Sequence, residues 1–246
     1  MKKQNRTSDE VKRMCGIAAF SAIAFLVTLI IRIPVQFLTF DVKDAVICLA
    51  AFIYGPISAF LISFIAAFIE LVTISSTGVL GFLMNFLSSS AFAFTAAFIY
   101  SKRKTLGGAI IGVYSAVVVL AAVMVLLNIL ITPVYMKVDR AIVIAMLPTL
   151  LFPFNLAKGL LNGAVALMLY KPLVIALRRA HFLPVSKKAV INTAVASDEL
   201  ITDEAVIKKD RSIFSSNHFS NKTYITIALG VLTAIVGIVM FIILNK

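Results

Sequence analysis

The chain has 246 residues, 61% of them hydrophobic and 14% charged, with a mean hydropathy of +1.04. Globular chains are about 45–50% apolar, so a soluble domain of this size could not hide so much apolar surface, and an integral membrane protein is expected. The formal net charge of +12 does not point to nucleic acid, because the basic residues gather at the ends of apolar runs, as topology determinants do.

Residues 1–13 form a basic N-terminus containing Lys2, Lys3, Arg6, Lys12 and Arg13. The run from Met14 to Ile31 is long enough to span a bilayer core, and no Ala-x-Ala cleavage site precedes Arg32, so a retained first helix is expected. Ala18 and Ala22 are small residues four apart, a spacing that lets a second helix approach closely. The segment from Arg32 to Phe40 reads as a loop. Asp41 and Asp44 then suit the positive end of a helix dipole. That helix is stopped at Tyr54 by Gly55-Pro56. At about 14 residues it reaches roughly 21 Å, short of a ~30 Å hydrocarbon core, so the loop before it must dip inward.

A third helix is expected from Ile57 to about Thr73, with Glu70 near its end, followed by a turn at Ser75-Ser76-Thr77-Gly78. A fourth spans Val79 to Tyr100 and carries Asn85. A fifth runs from Leu106 toward Tyr135, carries Asn128, and meets a stop at Thr132-Pro133. The sixth apolar run, Ala141 to Leu177, is interrupted by Pro148 and Pro153. A helix starting within the membrane at Pro153 would hold Asn155 and Lys158 in its first turn, looking into a polar pocket. A lysine at such depth is costly and needs a reason to be there, or must snorkel to an interface. Residues 14–180 thus make a six-helix membrane domain. Residues 181–222 read as a polar linker, and residues 223–246 as a seventh span.

Loop charge places the N-terminus in the cytoplasm and the C-terminus outside. Asn85, Asn128, Asn155 and Lys158 then fall at similar depth in the outer half, on three helices, and form a candidate site. Several chemistries lack their residues. Cys15 and Cys48 have no metal-ligand spacing, His181 and His218 lie in or beside the linker, and there is no phosphate-binding G-x-x-x-x-G-K-[ST] loop. No acid–base pair or nucleophile pair is visible, so no enzyme activity is expected, and one carboxylate, Glu70, is a thin basis for proton coupling.

Several strings occur in an informative order. They are Phe40-Asp41-Val42-Lys43-Asp44, Tyr54-Gly55-Pro56, Gly81-Phe82-Leu83-Met84-Asn85-Phe86, Asn128 followed by Thr132-Pro133-Val134-Tyr135-Met136, and Pro153-Phe154-Asn155-Leu156-Ala157-Lys158-Gly159. Together they resemble the riboflavin-specific substrate-binding (S) component of energy-coupling-factor vitamin transporters, over Met14 to Arg179. The resemblance implies an all-α integral membrane protein of the cell membrane with a six-helix S-component bundle, to which the seventh helix is an addition. It implies capture of riboflavin from outside, with no cofactor and no catalysis. The implied partners are a transmembrane coupling subunit, two cytoplasmic ATPases and membrane lipid. The ligand positions it implies are Leu38, Thr39, Phe40, Lys43, Asn85, Asn128, Asn155 and Lys158, and the coupling contact maps onto Ala18 and Ala22. An S component for another vitamin, or a flavin-handling scaffold using the C-terminal helix, are the alternatives.

Overall fold

The computed structural model describes residues 2–179, so the linker at 181–222 and the seventh span at 223–246 lie outside the described residues. Helix α1 (Lys2–Ile30) is followed by a hairpin of β1 (Ile33–Val35) and β2 (Leu38–Phe40). Then come α2 (Lys43–Tyr54), α3 (Pro56–Thr73), α4 (Gly78–Lys102) and α5 (Leu106–Met136). The last rod is built from α6 (Arg140–Met146), a π-helical turn (Leu147–Leu151) and α7 (Phe152–Arg179). The expected helical membrane bundle is present, and five of its helices are long and apolar enough to cross a bilayer.

Four local expectations are corrected. The first helix starts at Lys2 and runs through the polar leader instead of beginning at Met14. The loop after it is a two-stranded antiparallel hairpin in register Ile33↔Phe40, Pro34↔Thr39 and Val35↔Leu38. Its two-residue turn sets Gln36 at φ 54°, the left-handed region that tight hairpin turns need. The sixth helix does not begin at Pro153. It runs unbroken from Arg140 through the π turn that contains Pro148. A π turn widens the ladder locally, so the missing proline N–H and the ring's bulk are absorbed without ending the helix. Asn155 and Lys158 therefore sit in the middle of a continuous rod. Likewise α5 passes through Pro133 and ends three residues later, where Lys137 takes φ 55° and the N–H of Val138 reaches the Pro133 carbonyl.

Helix α2, with 12 residues or ~18 Å, is too short to span and is buried along most of its length. It forms the centre of the bundle, packed by α1, α3, α4 and α7. At its far end Phe52 lies 4.6 Å from the Tyr100 ring and 5.8 Å from the Tyr170 ring, whose hydroxyls bond each other. Close backbone approach holds the other helices together. A Cβ on Gly112 of α5 would lie 2.6 Å from the Ala96 carbonyl oxygen of α4, and one on Gly163 of α7 would lie 2.4 Å from Val113 Cγ1 of α5. Dispersion between small-residue faces replaces the hydrophobic effect where lipid is as apolar as the core. The outward faces expose Phe60, Phe64, Phe68 and Phe98, as a lipid-facing surface should.

Candidate functional site

The hairpin, α4, α5 and α7 surround a concave cavity that is open at its mouth, and apolar walls with a few convergent polar groups are what small-molecule sites are built from. Its apolar walls come from Phe37, Leu38, Met84, Leu120, Met124 and Phe154. Its polar groups include Thr39, Asn85, Asn128, Thr132, Asn155 and Lys158. Six of the eight ligand positions named from sequence therefore share one cavity: Leu38, Thr39, Asn85, Asn128, Asn155 and Lys158. Phe40 and Lys43 stand behind it. Phe40 is buried and meets Phe154 edge-on with ring centroids 6.2 Å apart. Lys43, on α2, turns away to Glu70.

The amides are held by their own helices. Asn155 Nδ2 donates to the Leu151 carbonyl at 2.7 Å, at the end of the π turn. Asn128 Nδ2 donates to the Met124 carbonyl at 2.6 Å, and its Oδ1 accepts from Thr132 Oγ1 at 2.9 Å. Asn85 Nδ2 donates to Glu70 Oε2 at 3.1 Å. Each of these bonds uses one of the two amide N–H donors, so Asn85 and Asn155 keep a second N–H as well as a carbonyl oxygen, and can both donate to and accept from a ligand. Lys158 supplies ammonium donors on the same cavity wall.

Lys158 does not snorkel; it is only 7% exposed. Its Nζ lies 2.9 Å from Asp41 Oδ2 and 3.9 Å from Asp44 Oδ2. Lys43 Nζ donates to both Glu70 oxygens, at 2.7 and 2.8 Å, and lies 3.8 Å from Asp41. Asp44 bonds the Ser89 hydroxyl of α4. Three carboxylates and two ammonium groups thus form one buried cluster beneath the cavity, joining α2, α3, α4 and α7. Charges taken out of water must be paired in this way. The placing of Asp41 and Asp44 at a helix dipole is therefore incomplete, since side-chain partners decide their roles.

Asn162, which sequence reasoning passed over, fixes the geometry. It is fully buried. Its Oδ1 accepts the N–H of Ala45 in the first turn of α2 at 2.8 Å, and its Nδ2 donates to the carbonyls of Asp41 at 2.9 Å and Lys158 at 3.0 Å. The available signal was its position four residues after Lys158, on the same helical face. Glu70 and Lys43 could have been paired by asking which opposite charge each intramembrane charge requires. Among the described residues no cluster of His, Cys, Asp and Glu suits a metal ion.

Comparison with known proteins gives a consistent set. Residues 12–174 match the family described as ECF transporter, substrate-specific component. The chain is 30% identical over 178 residues to the riboflavin transporter RibU of Staphylococcus aureus (strain TCH60), covering 68% of this chain and 93% of that protein. It is 26% identical over 189 residues to the riboflavin transporter FmnP of Bacillus subtilis (strain 168), covering 70% and 98%. A solved S component of a bacterial ECF transporter superposes with a TM-score of 0.59 at 29% identity, over 68% of this chain and 98% of that one.

Proposed function

The chain belongs to the substrate-specific components of ECF transporters, a family of substrate-binding transport subunits and not of enzymes, and on that premise we propose that it captures riboflavin at the outer face of the membrane for uptake. The observation that carries this is the convergence of Asn128, Asn155 and Lys158 with Leu38, Met124 and Phe154 on one cavity. A flavin ring has two apolar faces and an edge of alternating carbonyl and imide groups. Apolar walls accept the faces, while amide carbonyls and an ammonium group match the edge donor for acceptor. The riboflavin transporters among its relatives support the same substrate.

S components associate with an energy-coupling module. The partners proposed are a transmembrane coupling subunit and two cytoplasmic ATPases. The surface proposed for the coupling subunit is α1. Ile17, Phe20, Ser21 and Ala24 face the bundle, while Ala18 and Ala22 are exposed four residues apart on the opposite side, where another helix can pack closely. The basic N-terminus is assigned to the cytoplasm by its charge, which puts the cavity mouth outside and gives a multi-pass protein of the cell membrane. The test is riboflavin uptake by cells that depend on the external vitamin, expressing the chain with a coupling module. Growth at low riboflavin is expected, and no growth, with the protein present in the membrane, would reject the proposal.

A further inference from the structure

The buried cluster beneath the cavity pairs its charges incompletely. Asp41, Asp44 and Glu70 bring three carboxyl groups, Lys43 and Lys158 bring two ammonium groups, and all five side chains are buried. Fully ionised, the cluster would hold one negative charge without a counter-charge, a cost that buried groups escape by taking a cation or a proton. Among the described residues no further charge joins it. Helix α1 carries none from Gly16 to Ile30, α3 none but Glu70, α4 none before Lys102, and α7 none but Lys158 before Lys171. Cys48, one turn along α2, adds a buried thiol and no positive charge. Arg32 is exposed and gives Nη1 to the Ile74 carbonyl.

The three carboxyl groups are unequally served. Glu70 accepts two bonds from Lys43 and one from Asn85. Asp41 leaves Oδ1 unpartnered, but its Oδ2 accepts directly from Lys158 at 2.9 Å, with Lys43 at 3.8 Å. Asp44 is only 1% exposed and accepts from neither lysine. Its Oδ1 meets the Ser89 hydroxyl, and its Oδ2 has no hydrogen-bond partner among the described residues, with Lys158 Nζ 3.9 Å away. The Ala45 N–H in the first turn of α2 goes to Asn162, and the pull of the helix dipole is small beside an unpaired buried charge.

We propose that Asp44 is a proton site: it takes one proton from solvent, holds it at neutral pH, and donates the Oδ1–H to Ser89 Oγ. A hydroxyl both donates and accepts, so Ser89 can serve the acid form. A metal cation in the proton's place would need several oxygen ligands, whereas Asp44 has one hydroxyl and an ammonium beside it. The proton matters to the cavity. An ionised Asp44 would compete with Asp41 for Lys158, while the neutral acid leaves that ammonium to Asp41 and to the cavity wall that it lines.

The test is infrared spectroscopy of the detergent-purified full chain, free of flavin and at neutral pH, comparing wild type with Asp44→Asn and Ser89→Ala. The wild type is expected to show a carboxylic-acid carbonyl band above the amide bands. That band should be lost in Asp44→Asn and shifted in Ser89→Ala, where the acid loses its hydrogen-bond partner. No acid band in the wild type, or one that persists in Asp44→Asn, would overturn the proposal. A wild type without the band whose melting temperature rises with sodium chloride but not with choline chloride would put a cation where the proton is proposed. If Asp44→Asn does not fold, Ser89→Ala decides alone, a shifted band supporting the proton site and an unmoved one overturning it. These readouts need no bound flavin, so the proton site and the flavin assignment stand or fall separately.

Discussion

Lys158 Nζ lies 2.9 Å from Asp41 Oδ2, joining the middle of α7 to the residue that follows the hairpin. One ion pair thereby ties the cavity's cation to the segment that carries Leu38 and Thr39. Desolvating both charges is expensive, and the pair persists because Lys43, Asp44 and Asn162 complete the network around it.

Breaking that pair should damage both fold and site. Asp41→Asn is expected to cost about 3–5 kcal/mol of stability by leaving Lys158 poorly neutralised, and to weaken riboflavin binding at least tenfold. In the double variant Asp41→Asn/Lys158→Met both members of this pair are removed together and Lys43 keeps its bonds to Glu70, so melting in detergent should return part of the way to wild type while binding stays lost. Recovery of binding in the double variant would show that Lys158 does not contact the ligand.

The amides should matter to the ligand more than to the fold. Asn155→Ala and Asn128→Ala each remove a cavity-lining polar group that is bonded locally, and each is expected to reduce riboflavin affinity about tenfold, or ~1.4 kcal/mol. Fluorescence titration measures this directly. Unchanged affinity in both would place the flavin edge elsewhere.

Uptake and binding should separate at α1. Ala18→Trp or Ala22→Trp adds bulk to an exposed face and touches no part of the cavity. Riboflavin binding by the purified protein should be unaffected, and uptake with a coupling module should fail. Loss of binding in both variants would mean that this face packs within the bundle.

The tight helix contacts make a separate prediction. Gly112→Ala puts a methyl group 2.6 Å from the Ala96 carbonyl oxygen, which is backbone and cannot step aside. Overpacking of this kind typically costs about 1–3 kcal/mol, read as a lower melting temperature in detergent. A variant as stable as wild type would show that α4 and α5 can move apart freely.

The helices were legible because each long span is a continuous apolar run bounded by charges or Gly-Pro. The hairpin was not, since Ile33-Pro34-Val35 carries a proline and the turn residues Gln36-Phe37 lack the Asn-Gly signal. Continuity of the last rod was hidden for a related reason. Proline is read as a break, and nothing local announces that a π turn will absorb it. Four of the expected positions, Asn85, Asn128, Asn155 and Lys158, share the cavity because polar residues in lipid-depth segments must face inward, whereas Leu38 and Thr39 were expected only from the family resemblance. The charge cluster was invisible, because Asp41 and Lys158 are 117 residues apart and their pairing depends on how α2 docks against α7. For the same reason Lys43 was placed at the ligand, although the partner that fixes it is Glu70.

The measurement that bears most directly on the central claim is an absorption spectrum of the detergent-purified protein, followed by titration of added riboflavin. The account predicts a yellow preparation that releases riboflavin on denaturation, or an unloaded protein that quenches riboflavin fluorescence at one ligand per chain. A colourless, folded protein that leaves riboflavin fluorescence unchanged would contradict it.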